Sequence, residues 1–168
     1  PLKRTPNKTM KHLLIILIST LLLSSPLFGQ SEKPKAIIID TGSLGEISKT
    51  RIKILDKTLE SKLDDYFTIV PNQHFELAKE EAFNALTSDM LTEDRVIMTI
   101  MQLLDVENSF RMELIVKEED TLISLTWNDQ DQKRVEEDYC EGCKTKGLRL
   151  MVGGLVEKLV GVKKVEPV

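Results

Sequence analysis

The sequence predicts an α/β fold, a single mixed sheet with helices packed on it. Near its start a short β-branched run, KAIIID, precedes an amphipathic helical stretch and a second apolar run, the β-α-β order of parallel strands joined by a crossover helix. The last third then changes from helical spacing to alternation of apolar and polar residues, which indicates antiparallel strands with one buried face. A final apolar stripe at helical spacing predicts a closing helix.

The first part of this pattern sets out a strand, a helix and a second strand. Residues 35–40 are apolar and β-branched and predict a buried strand, and the TGSLGE segment after them predicts a turn. Residues 47–66 place isoleucines and leucines at helical spacing with charges between them. Residues 66–71, YFTIVP, predict the second strand, which Pro71 closes.

Two further helices are expected before the chain returns to strands. Asn72 is a candidate N-cap for a helix over 73–86. Thr92, followed by two acidic residues, predicts the capped start of another helix, which continues to Leu104. These assignments give the β-α-β-α-α portion of the fold.

The last third predicts three antiparallel strands and a helix. Phe110 to Lys117 alternates apolar and polar residues, and so does Ile123 to Trp127. Lys133 to Asp138 is highly charged, which is typical of a strand at the edge of a sheet. In the final helix Gly153 and Gly154 interrupt the apolar stripe. We expect glycine at these positions because the helix approaches the sheet closely there. The complete predicted order is β-α-β-α-α-β-β-β-α.

The amino-terminal segment has the pattern of a secretory signal peptide. Met10 opens a short basic segment, an apolar run from Leu13 to Leu23 follows, and Gly29 is the expected cleavage site. This run is shorter than the roughly 20 residues of a membrane-spanning helix. The predicted organisation is an upstream extension (residues 1–9), the signal peptide (10–29), a lead-in (30–34), the α/β domain (35–161), and a tail or linker (162–168).

The charge balance argues against nucleic acid as a partner. The first 29 residues hold four of the 23 basic residues and none of the 27 acidic ones, so the remaining 139 residues carry a net charge of −8. A strongly acidic surface repels both nucleic acid and anionic membranes. We therefore expect no nucleic-acid partner. No second apolar run reaches spanning length, so we expect no stable membrane span after signal cleavage. The leader makes the periplasm the predicted location, with secretion as the second choice.

Few residues are placed to do chemistry. His12 lies in the leader, so His74 is the single histidine left for a nucleophilic site, and the serine-elbow motif is missing. The Gly42-x-x-Gly45 spacing after a strand is a weak candidate for an anion-binding turn, since it lacks the further residues of nucleotide-binding loops. We expect no catalytic residues, no metal and no cofactor.

The two cysteines leave three interpretations open. Cys140 and Cys143 lie between the last strand and the last helix. In an oxidising compartment they are expected to form one disulfide that fixes this corner. A redox centre is the alternative, since a helix N-terminus and Lys144 favour a thiolate, whereas Glu141 opposes it. A zinc site would need two more ligands that the sequence does not offer as cysteines.

Three stretches, LLDVENSF, DTLISLTWNDQDQKRV and YCEGCKTKGLRLMVGGLVEKLVG, resemble an exported α/β module. That module occurs at the front of bacterial proteins whose later domain is similar to formylglycine-generating (sulfatase-modifying-factor) enzymes. More broadly, the layout is similar to the amino-terminal domain of the Tol-Pal system protein TolB. The resemblance covers about Lys35 to Gly161 and implies an α/β fold that makes protein contacts and has no catalytic residues of its own.

These observations favour a non-catalytic, exported accessory module. Its expected contact surface is the strand edge from Lys133 to Asp138 together with the acidic face, because an edge strand can pair with a strand of another protein. The alternative function is a thiol-disulfide protein that uses Cys140 and Cys143.

Overall fold

Five strands form one sheet in the order β2-β1-β3-β4-β5. The computed structural model describes residues 33–87, 91–129 and 131–161; the predicted extension, signal peptide and tail lie outside these ranges. The elements are β1 (Lys35–Leu44), α1 (Lys49–Leu63), β2 (Thr68–Ile69), α2 (Asn72–Ala85), α3 (Glu93–Leu104), β3 (Asn108–Lys117), β4 (Asp120–Asn128), β5 (Lys133–Cys140) and α4 (Thr145–Val160). Both the order and the single mixed sheet confirm the predicted fold.

The sheet is parallel on one side and antiparallel on the other. β1 pairs in parallel with β2 and with β3, whereas β3, β4 and β5 form an antiparallel meander. β5 is the last strand of the sheet, so the charged strand predicted to be an edge does lie at the edge. No helix in the described ranges combines the length and apolarity needed to cross a bilayer.

Two apolar clusters hold the helices on opposite faces of the sheet. The larger lies under α1 and α4 and includes the alternating residues Phe110, Met112 and Leu114 of β3, all fully or almost fully buried. The smaller lies under α2 and α3 and includes Ile37 and Ile39 of β1. The alternation predicted for β3 therefore places its apolar side chains in the larger cluster.

The first strand is longer than predicted. The TGSLGE segment is not a turn after Asp40: β1 continues to Leu44, with a register shift between Ile39 and Gly42. The extension forms because the ten-residue strand β3 offers it a pairing partner as far as Ile115. The second strand is shorter than predicted, since only Thr68 and Ile69 pair with β1.

One of the two predicted helix caps is right. The Thr92 side chain accepts a hydrogen bond from the backbone N–H of Arg95 at 3.4 Å, which caps α3. Asn72 does not cap α2: it is the first helical residue, and Pro71 holds the cap position without a side-chain hydrogen bond. A proline at this boundary gives up no helical hydrogen bond, since it precedes the residues whose N–H groups bond within the helix.

The prediction that the glycine pair of α4 allows a close approach to the sheet is wrong. A Cβ atom added to Gly153 would lie 3.4 Å from Cε of Lys62 in α1, so this glycine lets the two helices approach each other. A Cβ atom on Gly154 would have no neighbour within 4 Å. The close approach is thus made between helices on the same face.

Candidate interaction surface

The free edge of the sheet is the backbone of β5. The N–H of Asp129 donates to the carbonyl of Gln132 at 3.0 Å, which makes these residues a hydrogen-bonded pair at the start of the β4–β5 ladder. Hydrogen-bonded and non-bonded pairs alternate along an antiparallel ladder. The N–H and C=O groups of Lys133, Val135 and Glu137 therefore point away from β4, toward the free edge.

The side chains along this edge are open to solvent. Val135 is 45% exposed and Tyr139 is 52% exposed, and both Lys133 and Glu137 are exposed as well. None of the ion pairs found among the described residues uses Lys133 or Glu137. The Tyr139 hydroxyl donates to Asp120 Oδ2 at 2.6 Å, and this hydrogen bond raises the pKa of Tyr139 to about 12.

Beside this edge, one face of the sheet is only half covered. The helices α2 and α3 pack over the part built around β1, whereas the same face of β3, β4 and β5 carries partly or fully exposed side chains such as Glu113, Thr126 and Val135. The uncovered strands span roughly 10 Å, because neighbouring strands lie about 4.8 Å apart. That is about the width of one helix or of one extended segment with its side chains.

An apolar row crosses this open face. The strand register places Leu44 beside Ile115, Ile115 opposite Leu122, and Leu122 opposite Tyr139. Leu44 is 67% exposed and Ile115 is 46% exposed, and Leu122 is half-buried. Four neighbouring apolar side chains on a sheet face are the kind of exposed patch that marks a contact surface.

A groove of about 880 Å³ lies between α3 and the open strands. Met98 and Met101 of α3 form an apolar wall, and Ser109, Asn128 and Lys133 belong to the polar side. The Ser109 hydroxyl is fully buried and has no hydrogen-bond partner in the part of the chain that the structure describes. The groove therefore combines methionine surface, which adapts to varied partners, with one unsatisfied buried hydroxyl, that of Ser109.

The structure brings the two cysteines together at the end of the edge strand. Cys140 is the last residue of β5 and Cys143 precedes the N-cap residue of α4, Lys144. Their Cα atoms are 5.8 Å apart and their sulfur atoms are in bonding contact. Between them Gly142 has φ +63°, a conformation that glycine adopts without strain.

The turn that the sequence offered as an anion site has a different structure. Gly42 belongs to β1, so its backbone pairs with β3 instead of forming a cradle. The adjacent cleft is lined by three acidic residues, Asp40, Asp56 and Glu60, against two basic ones, Lys53 and Lys57, so its charge balance does not favour an anion. Burial, with the neighbouring Asp40 carboxylate, raises the pKa of Asp56, although the Thr41 hydroxyl donates a hydrogen bond to it at 2.5 Å.

Asp40, at the end of the predicted first strand, is part of an ion pair. Its carboxylate lies 2.8 Å from the ammonium group of Lys79 in α2. The residue that caps α1 is Ser48, whose Oγ accepts from the N–H of Arg51 at 3.2 Å.

His74 is exposed in the first turn of α2. Within the described ranges there is no group of three or more potential metal ligands.

Comparison with known proteins identifies the fold. No protein-family model and no curated protein sequence matches the chain. The C-terminal domain of LpoB from Salmonella enterica matches 75% of this chain and 93% of that domain, with a TM-score of 0.50 and 11% sequence identity. The described domain has an LpoB-like fold. At this identity the likeness concerns the fold alone.

Two further structures are less similar. TolB from Acinetobacter baumannii matches 77% of this chain with a TM-score of 0.47 and 11% identity, and the match covers 29% of TolB. Lipoprotein GNA1162 from Neisseria meningitidis matches 77% of this chain and 99% of its own length, with a TM-score of 0.49 and 8% identity. The resemblance to formylglycine-generating proteins gains no support from these matches.

Proposed function

We propose that the chain is a non-catalytic, exported module that acts by binding protein partners through β5 and the open face beside it. The observation that carries the proposal is the free edge of β5, eight residues long, whose outward backbone groups meet no other element of the described structure. Unpaired N–H and C=O groups in a row form a template for an added strand.

The side chains near the edge support the same function. An added strand would lie beside Val135 and Tyr139, and its apolar side chains would contact Tyr139 and extend the exposed row formed by Tyr139, Leu122 and Ile115. Burying apolar surface stabilises such a complex by roughly 25 cal/mol per Å² before the cost of association. The backbone pairing thus supplies the geometry and the row supplies the apolar contact.

A photo-crosslinking experiment in the native host tests this surface. Two forms of the full chain would carry p-benzoylphenylalanine in place of Tyr139, which is itself aromatic. One form has an otherwise wild-type β5, and the other also carries Val135→Pro. Because the Val135 N–H points away from β4, proline there removes no hydrogen bond within the chain but blocks an added strand. We expect discrete crosslinked adducts with the wild-type edge and their loss with Val135→Pro.

The matched control places the same photo-reactive residue at Leu150. This α4 residue is 71% exposed and lies on the helix-covered side of the molecule. Adducts found equally at Leu150, or unaffected by Val135→Pro, would show that β5 is not the contact surface. Circular dichroism of the purified Val135→Pro chain checks that the domain remains folded.

Export and the disulfide belong to the same proposal. The basic and apolar leader directs export, and an oxidising compartment favours a bond between Cys140 and Cys143. A four-residue ring contributes only roughly 2 kcal/mol in the chain-entropy model. Its position is the more useful property, because it ties the end of the edge strand to the start of α4.

A redox titration distinguishes a structural Cys140–Cys143 disulfide from the alternative function, a thiol-disulfide enzyme. Two acidic groups lie at the ring: Glu141 is within it, and a Cβ on Gly142 would lie 3.8 Å from Glu119 Oε2. The two carboxylates counter the helix N-terminus and Lys144, which favour a thiolate, so we expect a structural disulfide with a reduction potential below about −300 mV. A potential in the range of roughly −120 to −270 mV would favour the enzyme instead. Unprocessed chain with free thiols in the cytosol would contradict export.

A further inference from the structure

The charges of β5 are ordered along the strand. Two basic residues, Lys133 and Arg134, come first, then Val135, then the three acidic residues from Glu136 to Asp138. Val135 is the one uncharged residue of this run. The two ends of this run therefore carry opposite charges on either side of a neutral centre. One copy of the run is complementary in charge to a second copy that runs antiparallel to it.

This order determines which antiparallel self-pairing is favourable. When two copies of β5 pair about a two-fold axis, the residue on the axis faces itself. With Val135 on the axis, Lys133 faces the second copy's Glu137, and Arg134 faces the second copy's Glu136. With any other residue from Lys133 to Asp138 on the axis, a charged side chain meets its own copy, and like charges directly opposite are destabilising.

The backbone permits this register. The outward-facing N–H and C=O groups belong to Lys133, Val135 and Glu137, so all three can form hydrogen-bonded pairs across the axis. The result is about six backbone hydrogen bonds between the copies. The side chains that meet also lie on matching faces, because directly opposite residues of an antiparallel pair share a face.

The surroundings of the edge also fit a second copy. Lys133 and Glu137 are exposed and lie on the open face, where Lys133 also lines the groove beside α3. Arg134 is held at the strand by the Trp127 ring, whose centroid is 4.8 Å from its guanidinium carbon. The charges of β5 are therefore ordered along the strand. An edge whose charges serve only to prevent aggregation would need charge but no particular order.

Resting on the proposed function, we propose that the protein partner of β5 is a second copy of this chain. The two sheets join into one continuous antiparallel sheet through a two-fold axis at Val135. The interface falls in the small class of less than about 1,200 Å², so the dimer is reversible and weakens as salt screens its ion pairs.

Charge reversal with complementation tests the register. The purified full chain is studied by analytical ultracentrifugation as wild type, Lys133→Glu, Glu137→Lys and an equimolar mixture of the two variants. Each variant alone places like charges opposite each other, so we expect dimerisation at least about tenfold weaker. In the mixed dimer both contacts again join a lysine to a glutamate, one in the original order and one reversed, so we expect association within about threefold of wild type.

The control is Lys117→Glu, which makes the same charge change on the same face but away from the edge strand. It should dimerise like the wild type. A chain that stays monomeric at millimolar concentration, a mixture no stronger than its components, or an equal loss in the control would overturn the inference. If the chain is monomeric but its Tyr139 crosslinks lead to a different protein, the dimer is wrong while the proposed function stands. If no adduct depends on Val135, both fail.

Discussion

Replacing Phe110 with alanine is expected to lower the free energy of unfolding by about 3–5 kcal/mol. Phe110 is fully buried in the larger cluster. Its ring stacks on Trp127 with centroids 5.7 Å apart and meets the edge of Phe67 at 5.0 Å. Because β3 is central in the sheet, the cavity would lie where the helices and three strands meet, and little of the surrounding structure can collapse into it.

Urea unfolding followed by circular dichroism measures the Phe110 effect. Phe83→Ala is the matched control, because Phe83 is 47% exposed and should lose less than about 1 kcal/mol. A domain of this size has about 5–15 kcal/mol of stability in all, so Phe110→Ala uses up a large part of it. Equal losses from the two variants would show that the aromatic cluster is not the centre of the fold.

Gly45→Ala is the second substitution with a large expected effect. Gly45 has φ +96°, a backbone conformation that costs other residues about 1–3 kcal/mol. An added Cβ atom would also overlap the carbonyl oxygen of Val116 at 1.9 Å. Since that carbonyl belongs to β3, relief requires the backbone to shift, and we expect a total loss of at least about 2 kcal/mol.

Gly42→Ala provides the control, because Gly42 lies within β1 and only three residues before Gly45. Its added Cβ would lie 3.5 Å from Glu113 Cγ, an ordinary contact, and its φ is not positive. The same urea measurement should therefore show a much smaller loss for Gly42→Ala. If Gly45→Ala were equally mild, the close approach of the chain to Val116 would have to be looser than the structure places it.

The order of elements could be predicted because each one has a local signal. Alternation in β3 and β4, and the leucines of α1, depend on neighbours two to four residues away, which the sequence shows directly. The limits of β1 and β2 could not be predicted in the same way. Leu44 is in a strand because Ile115 pairs with it, and Thr68 and Ile69 pair only where β1 remains available.

The candidate site was predictable in part for the same reason. The high charge of Lys133 to Asp138 indicates an edge strand, and its place in the sheet confirms that. The open face gives no local signal, because it results from α2 and α3 packing over β1 while β3 to β5 continue beyond them. The row from Leu44 to Tyr139 is equally hidden, since its members are far apart in the sequence and only the register aligns them.

The position of Trp127 has a practical consequence for anyone studying this protein. It is the single tryptophan of the chain, it lies one strand inward from β5, and the Arg134 guanidinium rests over its ring. A ligand that draws Arg134 outward changes the electrostatic field at the indole. We therefore expect the ultraviolet emission of Trp127 to change when the edge is occupied, so that titrations need no attached dye.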